Sequence, residues 1–388
     1  MTPIRSSSDD RLPVLGLLGL AAAGFLTILT EALPAGLLFQ MSADLAVSEA
    51  MVGQLITAYA LGSLVAAIPL TAATRGWRRR PLLLTAVSGF LVANIITAVS
   101  TSYVLTLCTR FVAGVFAGLV WALLAGYASR MAPEHLKGRA IALAMIGTPL
   151  ALTIGIPAGT LIGTVIGWRP VFMIMSGLSV LLVAWIVWRV PDFEGEGGGH
   201  RASLASVLAR PGLKSALFAT LGFVLAHNIL YTYIAPLLDR AGLGGRVDAM
   251  LLLFGVAAIA SIWMVAVGID RHLRPLTLAS TGLFLAAALM LATFGQVSWI
   301  VLLAVVVWGL GFGGAASLFQ TASARIADEA ADVAQSMVVT AWNLAIAGGG
   351  LLGGLMLVGG DAGLLPWSCV LLLAAVALVV WKSRRGFA

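Results

Sequence analysis

Long apolar runs alternate with short polar breaks along almost the whole chain. A helix rises 1.5 Å per residue and needs about 20 apolar residues to cross a bilayer's hydrocarbon core. The pattern predicts twelve such spans, at roughly 13–38, 50–72, 82–99, 103–128, 140–164, 170–189, 213–238, 249–268, 276–295, 298–324, 335–358 and 364–382. The runs at 82–99 and 276–295 are short, but each is bounded by charge on one side and by Ser or Gln on the other. The first run is too long for a signal-peptide core and no small-residue cleavage site closes it, so it reads as a retained span.

Charge gives the spans a direction. Twelve crossings put both termini on one side. Of the 23 Lys and Arg, 19 fall there, among them Arg78, Arg79, Arg80, Arg130, Lys137 and Arg139. The other side receives Arg169, Arg240 and Arg246, and Arg110 lies inside span 4. The positive-inside rule then makes both termini cytoplasmic, with the chain expected in a plasma membrane. The chain is 60% hydrophobic and 10% charged, against roughly half and a quarter in soluble domains. The net charge of +7 is this orientation signal and requires no nucleic acid. Cys108 and Cys369 both lie in apolar spans and read as small buried hydrophobes.

A Gly-rich stretch at 190–212 divides the chain into halves, 1–189 and 213–388, with the stretch itself as a cytoplasmic linker. "RMAPE" from Arg130 recurs as "RIADE" from Arg325, 195 residues later. The same offset carries Gly155 to Gly350 and Gly159 to Gly354. The expected fold is an all-α membrane protein of twelve helices in two pseudo-symmetric six-helix halves, a transporter architecture.

Three spans carry patterned small or charged residues. In span 5, Gly147, Ala151, Gly155, Gly159, Gly163 and Gly167 recur every fourth position, with Pro149 and Pro157 among them. Such a groove admits another helix backbone, either as fixed packing or as a seam that rocks. In span 4, Arg110 shares a face with Gly114, Gly118, Ala122 and Gly126; in span 1, Glu31 shares one with Ala23, Thr27 and Ala35. Counted along their helices, Glu31 and Arg110 lie at similar depth, so neighbouring helices would bring them together. The open readings are a fixed ion pair and a proton-coupling pair, the latter being the default for intramembrane charge. A carboxyl that meets the arginine in one state and leaves it in another can take up and release a proton.

Neutral polar and aromatic side chains supply the rest. Tyr59, Asn94, Trp121, His227, Asn228, Tyr231, Tyr233, Trp263, Trp308, Gln320, Trp342 and Asn343 fall in mid-span, several of them too central to be interface anchors. Together they suggest a substrate cavity of stacking surfaces and neutral hydrogen bonds. A lone intramembrane histidine is more often a packing residue, and His227 carries that reading too. No metal motif, phosphate loop or nucleophile elbow is present, so an enzyme is not expected and the energy source must be something other than a bound nucleotide.

Four stretches carry a resemblance: "TEALPAGLLFQMSADLAVS", "RFVAGVFAGLVWALLAGYASR", "GIPAGTLIGTVIGWRPVF" and "YTYIAPLL". Over essentially its whole length the chain resembles the major facilitator superfamily. It is most similar to the twelve-span drug:proton antiporters, among them bacterial sugar, purine and chloramphenicol efflux permeases. The resemblance implies that Gly155, Pro157 and Gly159 match the Gly–Pro–Gly core of the antiporter signature, and that Arg110 matches an arginine tied to proton coupling. It also implies a conformational role for the loop after span 2. There the usual Asp-Arg-x-Gly-Arg-Arg reads "TRGWRR", with Thr74 at the acidic position beside Arg75; the loop after span 8 keeps Asp270 and Arg271. The expectation is a monomer that exports a small neutral or amphipathic molecule against proton entry, driven by the proton gradient without a cofactor. A facilitator or importer of the same fold is the alternative, and a membrane enzyme or sensor the more distant one.

Overall fold

The computed structural model describes residues 12–67, 69–74, 76–133, 136–195, 204–327, 330–359, 362–383 and 386–387. Among these residues no strand occurs, and twelve helices are long and apolar enough to cross a membrane. They are α1 (Val14–Gly36), α2 (Glu49–Ala66), α3 (Arg79–Val99), α4 (Tyr103–Met131), α5 (Arg139–Ile166) and α6 (Trp168–Arg189). The second six are α7 (Leu213–Thr232), α8 (Gly244–Ile269), α9 (Arg271–Phe294), α10 (Ser298–Ala327), α11 (Val333–Val358) and α12 (Leu364–Lys382). Number and order follow the apolar pattern.

The ends depart from it where the backbone breaks. Pro34 removes a donor near the end of α1, Leu37 leaves helical geometry (φ −108°, ψ 15°), and a separate helix runs Leu38–Leu45. α7 stops at Thr232 because Tyr233 turns out of the helix (φ −111°, ψ 33°), and Ile234–Asp239 forms a short helix beyond it. Pro157 cannot donate to the preceding turn, and α5 widens into a π-turn at Ala151–Gly155 just before it. α10 is interrupted at Gly313 and Gly314.

The halves are built alike. Gly114 of α4 lies so close to the Tyr59 carbonyl of α2 that no side chain fits between them. Gly309 of α10 meets the Phe254 carbonyl of α8 in the same way. Each residue of the second pair lies 195 positions after its counterpart. Two seams join the halves, α2 against α11 and α5 against α8, and they are related by the same repeat. On α8, Leu252, Val256, Ile259, Trp263 and Val267 form one exposed apolar stripe along the helix, a face for lipid.

The basic loop of the first half is tied to the start of the linker, and that of the second half to α12. Arg78 pairs with Asp192 at 2.6 Å, and Asp192 also accepts from the Arg80 amide at 3.0 Å. Tyr127 donates to the Pro191 carbonyl and stands edge-on to Phe193. In the second half Arg274 donates to the carbonyls of Val380 and Trp381. Thr74, where the resembling loop carries an acid, donates instead to the Leu70 carbonyl of its own turn.

Candidate functional site

The first half encloses a polar cluster. Arg110 is fully buried on α4, and its Nη2 donates to the main-chain carbonyl of Glu31 on α1 at 3.0 Å. Its guanidinium lies 4.8 Å from the centre of the Tyr59 ring, a cation–π contact. Tyr59 donates to the Thr27 carbonyl at 3.0 Å, and Asn94 of α3 donates to Thr30 at 3.4 Å. Three helices thus converge on one turn of α1. The guanidinium Nε and Nη1 are buried and have no partner.

Of the two open readings, the fixed ion pair is not formed in this structure. Glu31 and Arg110 are neighbours, but the carboxylate makes no ion pair with the guanidinium, which reaches the α1 backbone instead. Glu31 keeps a sliver of exposure, 9%, where Arg110 has none.

The corresponding place in the second half is aromatic. His227 of α7 stacks on Phe312 with ring centres 3.5 Å apart, and its ring lies 5.1 Å from Tyr231, 5.3 Å from Trp308 and 5.7 Å from Phe254. The Nδ1 of His227, the hydroxyl of Tyr231 and the Nε1 of Trp308 are buried without partners.

Within each half, the faces of α4 and α10 that pack on a neighbour open toward the end that carries the basic loops. The face of α4 that is buried at Gly114 and Gly118 is exposed at Ala122 and Gly126, and a side chain at Gly126 would meet nothing. On α10 the buried Gly309 is followed by exposed Ser317 and Gln320. Trp121 and Trp342 are half-buried on the same stretch. Asn228 and Asn343 are nearly buried, each donating to a carbonyl of its own helix, Val224 and Val339.

Several sequence-based expectations change. Trp263 belongs to the exposed lipid stripe of α8 and lines no cavity, because its helix turns it outward. Tyr59 and Asn94 are sealed inside the first half, bonded to α1. The α5 stripe faces α1 of its own half: Gly147 abuts the α1 backbone at Ala21, whereas Gly155 and Gly159 face the side chains of Phe25 and Leu33. Contact with the other half comes from Thr153, which donates to the Gly255 carbonyl at 3.1 Å. Arg75 and the side chain of Asp270 lie outside the described residues, and Arg271 is exposed. Gln54, Thr57 and Thr153 went unnoticed in the sequence although each is polar within a span.

A model of the Major Facilitator Superfamily matches residues 20–350. A protein named probable sugar efflux transporter from Helicobacter pylori (strain HPAG1) is 25% identical over 375 residues, covering 93% of this chain and 96% of its own. A chloramphenicol efflux pump from Mycobacterium tuberculosis (strain CDC 1551 / Oshkosh) is 31% identical over 348 residues, covering 87% of this chain and 84% of its own. Among solved structures, a bacterial homolog of the human lysosomal transporter Spinster, in an inward-facing and unoccupied conformation, matches 99% of this chain and 98% of its own. Its TM-score is 0.71 at 15% identity, a likeness of fold.

Proposed function

This chain belongs to the Major Facilitator Superfamily and is a multi-pass membrane transporter, not an enzyme; on that premise we propose that it expels a small neutral or amphipathic organic molecule in exchange for protons. The names of its sugar- and chloramphenicol-efflux relatives support the direction and the substrate class. The uncharged lining of Trp121, Asn228, Trp342, Asn343 and Gln320 favours a ligand recognised by stacking and neutral hydrogen bonds.

One observation carries the proton. Arg110 is buried with two donors unfilled, bonded to the backbone of Glu31, whose carboxylate does not fill them. Burying a cation is tolerated when it is paired, so this arrangement suits one member of a two-state pair. In the state described here Glu31 is apart from the guanidinium and free to exchange a proton. In the other state it takes the open donors and is ionised. With the basic loops in the cytoplasm of a bacterial inner membrane, the opened faces of α4 and α10 border the inward-open cavity of alternating access. The proposed unit is a monomer, powered by the proton gradient and using no cofactor.

The test is substrate flux in proteoliposomes with and without a proton gradient, using chloramphenicol and a panel of sugars. Glu31→Gln is expected to fold, to bind and to equilibrate substrate, but to lose gradient-driven accumulation. Undiminished accumulation by Glu31→Gln removes Glu31 from the mechanism, and wild-type flux indifferent to the gradient points to a facilitator. Impermeant thiol labelling of Ser383→Cys and Ala46→Cys in intact cells reads the orientation: the first is expected to be protected and the second labelled.

A further inference from the structure

At the face away from the basic loops, α2, α7 and α11 meet around one carbonyl. Tyr233, at the break that ends α7, is fully buried and donates to the Gly350 carbonyl of α11 at 2.6 Å. Its hydroxyl also lies 3.3 Å from the Ala50 carbonyl of α2. Gln54 of α2 donates to the same Gly350 carbonyl at 3.0 Å and lies 3.5 Å from the Tyr233 hydroxyl. One turn further along α2, Thr57 donates to the Ala347 carbonyl at 3.2 Å.

These contacts require bare backbone on α11, and the sequence provides it as "AGGGLLGG" over 347–354. A side chain at Gly350 would strike Thr57, and one at Gly354 would strike Tyr233 and Gln54. Every acceptor is a helix carbonyl that already serves its own helix, so the added bonds work as fasteners and leave the α11 ladder intact. Among the described residues, the repeat-related seam, α5 against α8, shows one such bond between side chain and backbone, Thr153 to Gly255. Side-chain hydrogen bonding between the halves is therefore concentrated on the α2–α11 seam, away from the end where α4 and α10 open.

We propose that Tyr233, Gln54 and Thr57 form a polar lock on the glycine segment of α11 that holds this face closed and sets how often it opens. They act as positioning residues, with no contact to the transported molecule. The break at Tyr233 is what allows one α7 side chain to reach across both neighbours. Opening the face pulls α2 from α11 and breaks the bonds of Gln54 and Thr57 to α11, and that of Tyr233 to Ala50, together. The lock rests on the alternating-access reading, and its test is independent of substrate and of proton coupling.

The reporter is Ala50→Cys, buried beside the lock, in a chain carrying Cys108→Ser, with labelling by a polar maleimide on detergent-solubilised protein. Cys369, buried against Ala226 of α7, stays in place as a monitor of unfolding. Tyr233→Phe and Thr57→Val are each expected to speed reporter labelling about threefold to tenfold, the population change produced by losing one intramolecular hydrogen bond. The double variant labels faster than either single one, and Cys369 stays protected. Ser176→Ala, which removes a hydroxyl bonded within α6, leaves the rate unchanged. If Tyr233→Phe exposes Cys369, Thr57→Val decides the question alone. Reporter rates equal to wild type in Thr57→Val and in every folded variant overturn the lock. Since neither substrate nor gradient is present, a failure of Glu31→Gln to alter transport leaves this result standing, and the reverse also holds.

Discussion

Tyr59 of α2 and Phe254 of α8 occupy equivalent places in the two halves, each with its carbonyl pressed against a glycine of the neighbouring helix. Around Tyr59 the filling is polar: a guanidinium over the ring, a hydroxyl bonded to α1, and an asparagine on Thr30. Around Phe254 it is aromatic: His227, Tyr231, Trp308 and Phe312. One backbone plan thus holds a charge in one half and a packed, uncharged aromatic core in the other. Packing is expected to dominate stability in the aromatic half, whereas in the polar half the buried ion is expected to add little to stability and, on the proposed mechanism, to serve coupling.

The sharpest way to break this comparison is Trp308→Ala. Trp308 is fully buried, with Phe284 stacked on it at 5.8 Å. Its loss is expected to cost about 3–5 kcal/mol, read as a fall in unfolding midpoint, with little of the protein surviving extraction. Arg110→Lys comes next. An ammonium cannot both reach the Glu31 carbonyl and lie flat over Tyr59, so gradient-driven flux is expected to fall about tenfold or more while the midpoint moves far less than for Trp308→Ala. A midpoint loss equal to that of Trp308→Ala would show that both halves are held alike. Tyr59→Phe keeps the ring under the guanidinium and removes one bond to Thr27; the expected cost is about 1 kcal/mol by the same unfolding measurement.

The smallest effect belongs to the loop clamp. Burial works against the Asp192 carboxylate, but hydrogen bonds from Arg80 and Arg78 and the charges of both outweigh it and hold its pKa below the ordinary value of 3.8. The clamp is therefore fully present above that value and lost only as pH falls through the lower, folded-state pKa. Because Arg78 is largely exposed, Asp192→Asn is expected to leave the unfolding midpoint unchanged, with parallel profiles between pH 5 and 8. A pH-dependent gap between the two profiles in that range would show that the clamp reports on a group other than Asp192.

The twelve helices were legible because a bilayer demands the same apolar length twelve times, and the polar cluster because charge is so rare inside spans. The lock was not. Its acceptors are main-chain carbonyls of Ala50, Ala347 and Gly350, which no side-chain pattern announces, and only the glycine run on α11 hints at them. Helical spacing placed Gly155 and Gly159 on one face but said nothing of what that face meets, which proved to be Phe25 and Leu33. Trp263 was misplaced for the converse reason. An aromatic residue in mid-span points nowhere until its stripe with Leu252, Val256, Ile259 and Val267 is drawn.

The interruption of α10 at Gly313 and Gly314 bears on how the chain is assembled. Backbone groups freed inside hydrocarbon need partners, and here neighbouring helices supply them: Ser261 of α8 accepts from the Gly314 amide at 3.1 Å, and Ser280 of α9 donates to the Gly311 carbonyl. Both serines are synthesised before the helix they complete. When α10 leaves the ribosome-bound channel, its two stitches are already waiting in the membrane, so N-to-C synthesis is also the order in which this break becomes tolerable to lipid. A circular permutation that delivered α10 ahead of α8 and α9 would ask the bilayer to hold an open backbone until its partners arrived.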